Sequence, residues 1–228
     1  MNGRRVAEGA ALAEYPRFER RLIARLNGPE RVQHFVDRLP YNWEPDGETL
    51  RSVRSSLAAK TAHCLEAALI ACALLEPHGY PPLLLDLESV DKLDHVLFVF
   101  QRAGRWGAVA RSRDPGLHGR KAVFATLRAL VASYELPYID ATGRICGYGV
   151  LDLREVRRCD WRFSPRNVWA IERALIDNRH HRVRMPEATY RRWLARYLRF
   201  CEQHPGARPV YYPQRSTWLS AGEGCKDL

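Results

Sequence analysis

Two residues in this chain of 228 have the types and the order that thiol chemistry requires. Cys64 begins a strongly apolar segment, and His95 stands 31 positions later at the head of a run rich in β-branched and aromatic residues. The thiolate, not the thiol, is the nucleophile, and an imidazole within hydrogen-bond distance can take the thiol proton. Cys64 and His95 therefore predict attack by sulfur on a carbonyl carbon.

The segment around Cys64 has the pattern of a buried helix. Residues 62–75 are apolar on nearly every side, and Pro77 and Gly79 follow as stop signals. Thr61 is a predicted N-cap, which places Cys64 near the third helical position. Free backbone N–H groups and the positive end of the helix dipole favour a thiolate there.

The segments that follow this helix predict the element that carries His95. Residues 82–87 form an apolar, strand-like run, and residues 95–100 and 106–110 predict an antiparallel hairpin around Gly104. His95 then begins its strand. A strand end that packs against the start of a buried helix can bring an imidazole to the thiol.

With these features in order, the chain resembles the transglutaminase-like branch of the papain-like cysteine enzyme superfamily. The matching segments are residues 62–64, 78–81, 94–96 and 104–109, within residues 39–115. The resemblance implies an α+β fold in which a buried Cys-bearing helix packs on an antiparallel sheet, with extra helices at both ends. It also implies that Cys64 and His95 are catalytic.

The resemblance further implies a third catalytic residue, an Asp that orients the imidazole. The ungapped position for that Asp holds Ala110, Asp114 lies four residues later, and Ser112 lies between them. The orienting residue is therefore Asp114 after a local insertion, Ser112, or absent. We take Asp114 as the first choice, because an imidazole that lacks an orienting partner has a less well fixed tautomer.

Four other residues are candidates for lining the site. Tyr41 and Asn42 precede the Cys64 segment, and either side chain can donate a hydrogen bond to an oxyanion beside the Cys64 backbone N–H. His63 adjoins the nucleophile, and its charge can lower the thiol pKa. Trp106 begins the second strand of the predicted hairpin.

The composition sets further expectations. With 46% hydrophobic residues the chain can bury a sizeable core, and we expect one domain over residues 1–204 followed by an extended segment and tail over residues 205–228. No apolar run is long enough to span a bilayer and no signal-type segment begins the chain, so we expect a cytoplasmic protein without a membrane span. The six cysteines have no metal-ligand spacing and no nucleotide-binding motif occurs, so we expect no metal and no cofactor.

Positive charge concentrates in the C-terminal half. The chain has a net charge of +10, and residues 154–199 contain thirteen arginines and no lysine against five acids. Such a surface can attract nucleic acid. We expect instead that the last helix turns Trp193, Tyr197 and Leu198 inward and spreads its arginines over solvated faces, so nucleic acid is not the expected partner.

Helical periodicity and breakers locate the remaining elements. The predicted helices are residues 10–27, 29–38, 48–59, 121–135 and 167–178 and the segment after Pro186, with a further strand at residues 148–153 and a mobile tail at residues 220–228. The first three helices precede the Cys64 segment, and the further strand is expected to join the sheet of the hairpin.

These features together predict a cysteine-dependent acyl-transfer enzyme. Cys64 attacks an amide carbonyl of a peptide, protein or small amide, His95 takes the thiol proton and returns one to the leaving amine, and an acyl-thioester forms. Water as the acceptor would make the protein a peptidase or amidase, whereas an amine would make it a transglutaminase-type enzyme. The alternative is a non-catalytic transglutaminase-like binding or scaffold protein, which Ala110 favours and whose basic half would face nucleic acid.

Overall fold

One antiparallel sheet organises the described part of the chain. The structure is a computed structural model that describes residues 12–209, 212 and 214–219. Within these residues, six strands and seven α-helices give a mixed α+β fold, as the sequence predicts. The strands are β1 (Leu83–Ser89), β2 (His95–Arg102), β3 (Arg105–Val109), β4 (Arg120–Phe124), β5 (Ile145–Asp152) and β6 (His181–Arg182). The helices are α1 (Arg17–Arg25), α2 (Pro29–Asp37), α3 (Val53–Ala59), α4 (Cys64–Leu75), α5 (Leu127–Glu135), α6 (Trp169–Ile176) and α7 (Glu187–Gln203).

The strands follow the order β4-β3-β2-β1-β5-β6, and each neighbouring pair is antiparallel. β2 and β3 form the predicted hairpin, whose two-residue turn, Ala103 and Gly104, has positive φ at both positions. Residues 148–152 of the strand predicted at residues 148–153 lie in β5, beside β1, and Leu153 begins a 3₁₀ turn. Leu87 of β1 pairs with His95 of β2, which places His95 at the first rung of this ladder.

The two faces of the sheet are covered by different helices. Residues Leu65–Leu75 of α4 are all buried, because β2 lies on one side of this helix and α1, α2 and α3 pack around the others. Phe98 and Phe100 of β2 point into this core, whereas Leu97 and Val99 alternate to the opposite face, where α5 packs. The sheet and α4 therefore form the rigid frame that carries Cys64 and His95.

Helix α4 begins later than the sequence indicates. Its N-cap is His63 and not Thr61, so Cys64 is the first helical residue rather than the third. The Glu66 carboxylate accepts a hydrogen bond from the His63 backbone N–H at 3.2 Å, which fixes the helix start. The Nη2 group of Arg51 donates to the carbonyl and hydroxyl oxygens of Thr61, at 3.1 and 3.0 Å, and holds Thr61 outside the helix.

The segment predicted as one helix at residues 121–135 is a strand followed by a helix. β4 extends to Phe124, and the Thr126 hydroxyl then accepts a hydrogen bond from the Ala129 N–H at 3.1 Å to cap α5. Over so few residues, a short strand ahead of a capped helix has apolar positions that also fit helical spacing. The polar cap was the signal that separates the two.

The first and third predicted helices are also shorter than expected. The helix predicted at residues 10–27 consists of a 3₁₀ turn at Leu12–Glu14 and α1, which begins only after Pro16; residues 10 and 11 lie outside the described residues. The helix predicted at residues 48–59 begins at Val53, because Ser52 is its N-cap and accepts a hydrogen bond from the Ser55 N–H at 3.2 Å.

Helix α7 packs loosely on the body. Trp193 and Tyr197 are half-buried, but Leu198 is 49% exposed, so the prediction that Leu198 turns inward was wrong. Arg191 forms an exposed pair with Glu187 at 3.1 Å. The tail predicted at residues 220–228 lies outside the described residues. Of the helices that the structure describes, none is both long and apolar enough to cross a bilayer.

Candidate active site

Cys64 lines an open cleft of about 1160 Å³ at the end of the sheet where β2 begins. Because Cys64 is the first residue of α4, its backbone N–H has no acceptor within the helix and is free to bind an anionic oxygen. His63 and His95 line the same cleft. The structure therefore brings the predicted thiol and two imidazoles together.

Both imidazoles act on the Cys64 thiol. Burial raises the pKa of this thiol, but side-chain hydrogen bonds with His63 and His95, together with the charges of both imidazoles, bring it well below its ordinary value. Cys72 lies two turns further along α4, where burial raises its pKa well above the ordinary value. Of these two cysteines on one helix, only Cys64 is poised as a thiolate.

His63 has two oxygen acceptors beside one ring nitrogen. Its Nε2 atom lies 3.1 Å from the Thr49 carbonyl oxygen and 3.7 Å from a Glu66 carboxylate oxygen, so Nε2 carries a proton. The other ring nitrogen is then the one available to Cys64. Burial lowers the pKa of His63, but the hydrogen bond and charge of Cys64 and the charge of Glu66 raise it to about 9. The charges of Cys64 and Glu66 therefore both favour the protonated form of His63.

His95 is oriented by the main chain. This buried side chain places its Nε2 atom 2.9 Å from the carbonyl oxygen of Leu117. A carbonyl oxygen can only accept, so Nε2 carries the proton, and Nδ1 is left to meet Cys64. The tautomer of His95 is thus set without a carboxylate.

Arg120 fixes the loop that supplies this carbonyl. Its guanidinium group is fully buried and donates to the carbonyl oxygens of Gly116 and His118, at 2.6 and 2.7 Å, on either side of Leu117. The same group lies 4.1 Å from the centroid of the Tyr134 ring. Burial lowers the pKa of Arg120, so carbonyl acceptors and a ring face are what satisfy this buried cation.

Asp114 and Ser112 do not contact His95. Among the described residues, Asp114 pairs with Arg208 and Arg113, and its backbone N–H donates to the Ser112 hydroxyl at 3.1 Å. Both side chains line the cleft, but the Leu117 carbonyl occupies the orienting position that we predicted for Asp114. The assignment of a side-chain orienter is therefore corrected to a main-chain group.

The ungapped position, Ala110, is held by α2. The side-chain amide of Gln33 accepts from the Ala110 N–H at 2.9 Å and donates to the Ala110 carbonyl at 2.7 Å. Gly119 lies in contact with the same Gln33 side chain, where an added Cβ atom would approach Oε1 to 2.0 Å. α2 therefore pins both ends of the loop that carries Leu117.

Tyr41 and Asn42 have different positions around the thiol. The side-chain amide of Asn42 donates to the Thr49 hydroxyl at 2.9 Å and to Glu66 at 3.3 Å, so both of its N–H groups are engaged and it is not an oxyanion donor here. Tyr41 lines the cleft, and burial together with the charge of Cys64 raises the pKa of its hydroxyl. Tyr41 is therefore the side-chain candidate for the oxyanion site.

Trp106 lies away from the cleft. It pairs with Gln101 on β2, six residues along the strand from His95, which is a distance of roughly 20 Å at the usual rise of a strand. Its side chain packs against the core on the α5 face of the sheet. The prediction that Trp106 lines the site was wrong, because that end of the hairpin is remote from the start of α4.

A buried ion pair supports the start of α4. Glu66 is fully buried, and its carboxylate accepts from the Arg51 side chain at 2.7 and 2.8 Å and from the Arg51 backbone N–H at 3.0 Å. Burial raises the pKa of Glu66, but these hydrogen bonds and the charge of His63 lower it below its ordinary value. Glu66 thus holds His63, and through it the thiolate, in place.

Sequence reasoning missed a second polar pair in the cleft. Asp86 of β1 is 4% exposed, and its Oδ2 atom lies 3.0 Å from Nε2 of His180. The two residues are 94 positions apart, so no local spacing links them. A signal existed in the single carboxylate that interrupts the apolar run at residues 82–87.

No protein-family model matches the chain, and no curated protein matches its sequence. Among the described residues, no three His, Cys, Asp or Glu side chains are grouped as a metal site would require.

Proposed function

We propose that this protein is a cysteine-dependent acyl-transfer enzyme with a transglutaminase-like, papain-like core. The observation that carries the proposal is a thiol at the first position of a buried helix, flanked by two imidazoles and open to a cleft. A purely structural cysteine needs neither a depressed pKa nor access to substrate. Cys72 on the same helix has neither, since it is fully buried and its pKa is raised.

In the proposed reaction, the Cys64 thiolate attacks the carbonyl carbon of an amide and the carbonyl oxygen becomes an oxyanion. The backbone N–H of Cys64 and the hydroxyl of Tyr41 stabilise that oxyanion. His95 donates the Nδ1 proton, taken from the thiol, to the nitrogen of the leaving amine as the C–N bond breaks. Water or an amine then attacks the thioester, gives its proton to His95 and releases the thiolate.

The two imidazoles have separate roles in this proposal. His63 remains an imidazolium and stabilises the resting thiolate by charge, because Glu66 and the Thr49 carbonyl hold its proton at Nε2. His95, whose only fixed proton is the one facing Leu117, exchanges a proton at Nδ1. This division supports a working centre in which Ala110 replaces the expected Asp.

Two measurements on one preparation test the proposal. Brief alkylation with iodoacetamide and peptide mapping should label Cys64 ahead of the four other described cysteines. Incubation with p-nitrophenyl acetate should then acetylate Cys64 and release nitrophenol in a burst, which a Cys64→Ala variant should lack. A reactive Cys64 that is never acylated would instead favour the non-catalytic scaffold, and a thiol with ordinary reactivity would exclude the enzyme.

A further inference from the structure

The cleft has the opposite charge to the rest of the protein. The whole chain has 36 Lys and Arg against 26 Asp and Glu, yet among the described residues the cleft is lined by nine carboxylates and only three such cations. The carboxylates are Glu44, Glu48, Asp86, Glu88, Asp91, Asp94, Asp114, Asp140 and Glu172, and the cations are Lys92, Arg113 and Arg208. A concave surface of one sign focuses its field and attracts the opposite charge.

Part of this negative charge has no basic partner. Arg113 and Arg208 both pair with Asp114, and Lys92 pairs with Glu88. Asp91, Asp94 and Asp140 form no ion pair with Lys or Arg within the described residues; they accept from hydroxyl and backbone N–H groups, which are Ser89, Leu93, Thr142 and Gly143. These three acids and Asp86 are named the acidic wall.

Asp86 gives the acidic wall a buried anchor. Its Oδ2 atom lies 3.0 Å from Nε2 of His180, but its Oδ1 atom is buried and has no hydrogen-bond partner among the described residues. A buried carboxylate oxygen without a donor costs free energy unless a ligand supplies one. The pair Asp86–Val96 is the rung next to Leu87–His95, so this oxygen lies close to the catalytic strand end.

We propose that the acidic wall binds the alkylammonium group of a cationic substrate, with Asp86 as its anchor. An ammonium group has three donors and no acceptor, which suits an unsatisfied oxygen among carboxylates. Tyr138 adds a ring beside the wall, and its hydroxyl donates to the Leu93 carbonyl. That this ammonium group belongs to a substrate of Cys64 rests on the proposed acyl-transfer function. That the acidic wall binds an ammonium group does not depend on it.

Binding to the Cys64→Ala variant tests the assignment without turnover. Titration calorimetry would compare the binding of 1,5-diaminopentane with that of the neutral 1,5-pentanediol. It would also compare an N-terminally acetylated peptide that contains one free lysine with the same peptide acetylated on the lysine Nε. We expect each cation to bind at least tenfold more tightly than its neutral counterpart. The affinity of each cation should fall as salt is added. Tighter binding of the peptide would identify a protein side chain as the source, and tighter binding of the diamine a small molecule.

Asp86→Asn keeps the shape of the anchor and removes its charge, so the affinity for both cations should fall at least tenfold. The matched control is Glu155→Gln, which removes one exposed carboxylate outside the cleft and should leave affinity within twofold. If Asp86→Asn does not fold, Asp94→Asn replaces it, because an amide oxygen can still accept from the Ser89 N–H. The proposal would be overturned if the neutral compounds bound as tightly as the cations, or if the Asp86 or Asp94 variant bound the cations with unchanged affinity. Tighter binding of Ca²⁺ than of either amine would also overturn it.

The two proposals fail separately. If Cys64 is alkylated and acylated rapidly but the protein binds neither amine, only the proposal for the acidic wall is refuted. Amine binding that depends on Asp86, in a protein whose Cys64 is never acylated, would refute the enzyme and leave a cation-binding cleft.

Discussion

The Nε2 atom of His95 lies 2.9 Å from the carbonyl oxygen of Leu117, and a buried arginine three residues further on, Arg120, binds the carbonyl groups on both sides of that oxygen. The imidazole is therefore oriented by a loop and not by a side chain. Because a guanidinium group holds five donors in a rigid planar fork and an ammonium group is a compact point charge, the geometry of this loop depends on the type of cation at position 120.

Arg120→Lys should loosen this loop and slow acylation of Cys64 by roughly 10- to 100-fold, since small displacements of a catalytic group have costs of that size. The burst with p-nitrophenyl acetate, followed against pH, checks this prediction, because a misplaced His95 should also alter the pH profile. The matched control is Lys121→Arg at the exposed neighbouring position. A variant with lower thermal stability but an unchanged burst and pH profile would show that Arg120 is only structural.

The thiolate of Cys64 should persist at low pH. Its pKa is lowered by His63 and His95, so the rate of alkylation by iodoacetamide should stay nearly constant from neutral pH down to about pH 6, where an ordinary cysteine with a pKa of about 8.5 is almost fully protonated. His63→Gln removes one stabilising cation and should move the midpoint of this profile upward. An unchanged midpoint would show that His63 does not stabilise the thiolate.

Tyr41→Phe separates binding of the oxyanion from reactivity of the thiol. If the hydroxyl donates to the oxyanion, its removal should lower turnover of an amide or ester by about 10²- to 10³-fold. Alkylation by iodoacetamide forms no oxyanion and should proceed at the wild-type rate. Equal losses in both assays would mean that Tyr41 supports the thiolate or the fold rather than the transition state.

Arg51→Met leaves Glu66 as a buried carboxylate without its arginine partner, and we expect a loss of about 3–5 kcal/mol in the free energy of unfolding. The pKa of Glu66 is lowered in the folded state, so the stability it contributes is present above the unfolded pKa of about 4.3 and is lost as the pH falls through the folded value. Urea unfolding of wild type and variant at several pH values measures both effects.

The double variant Arg51→Met, Glu66→Leu is the control for that prediction, because it removes both charges and should recover part of the lost stability. If the double variant is no more stable than Arg51→Met, the cost lies in lost packing and not in the unpaired carboxylate.

The sequence predicts the frame of the site better than its fine positions. An apolar helix and a two-residue hairpin are local patterns, so α4, β2 and β3 follow from spacing alone. The orienting group could not be found this way, because every residue has a carbonyl oxygen and only the loop path decides which one meets His95. The Asp86–His180 pair could not be predicted from local patterns, because the two residues are 94 positions apart. In the helix predicted at residues 121–135, the apolar spacing is continuous, and only one capping Thr marks where the strand ends and the helix begins.

The main-chain contact at Leu117 has a consequence for genetic dissection. A carbonyl oxygen is present whichever amino acid occupies position 117, so a scan of single substitutions would find Cys64 and the two histidines but would not identify the group that orients His95. The site would be scored as a thiol with two imidazoles and no orienting group. Replacing the amide bond that carries this oxygen with an ester, by incorporating a hydroxy acid at position 118, would weaken the acceptor and expose the missing member.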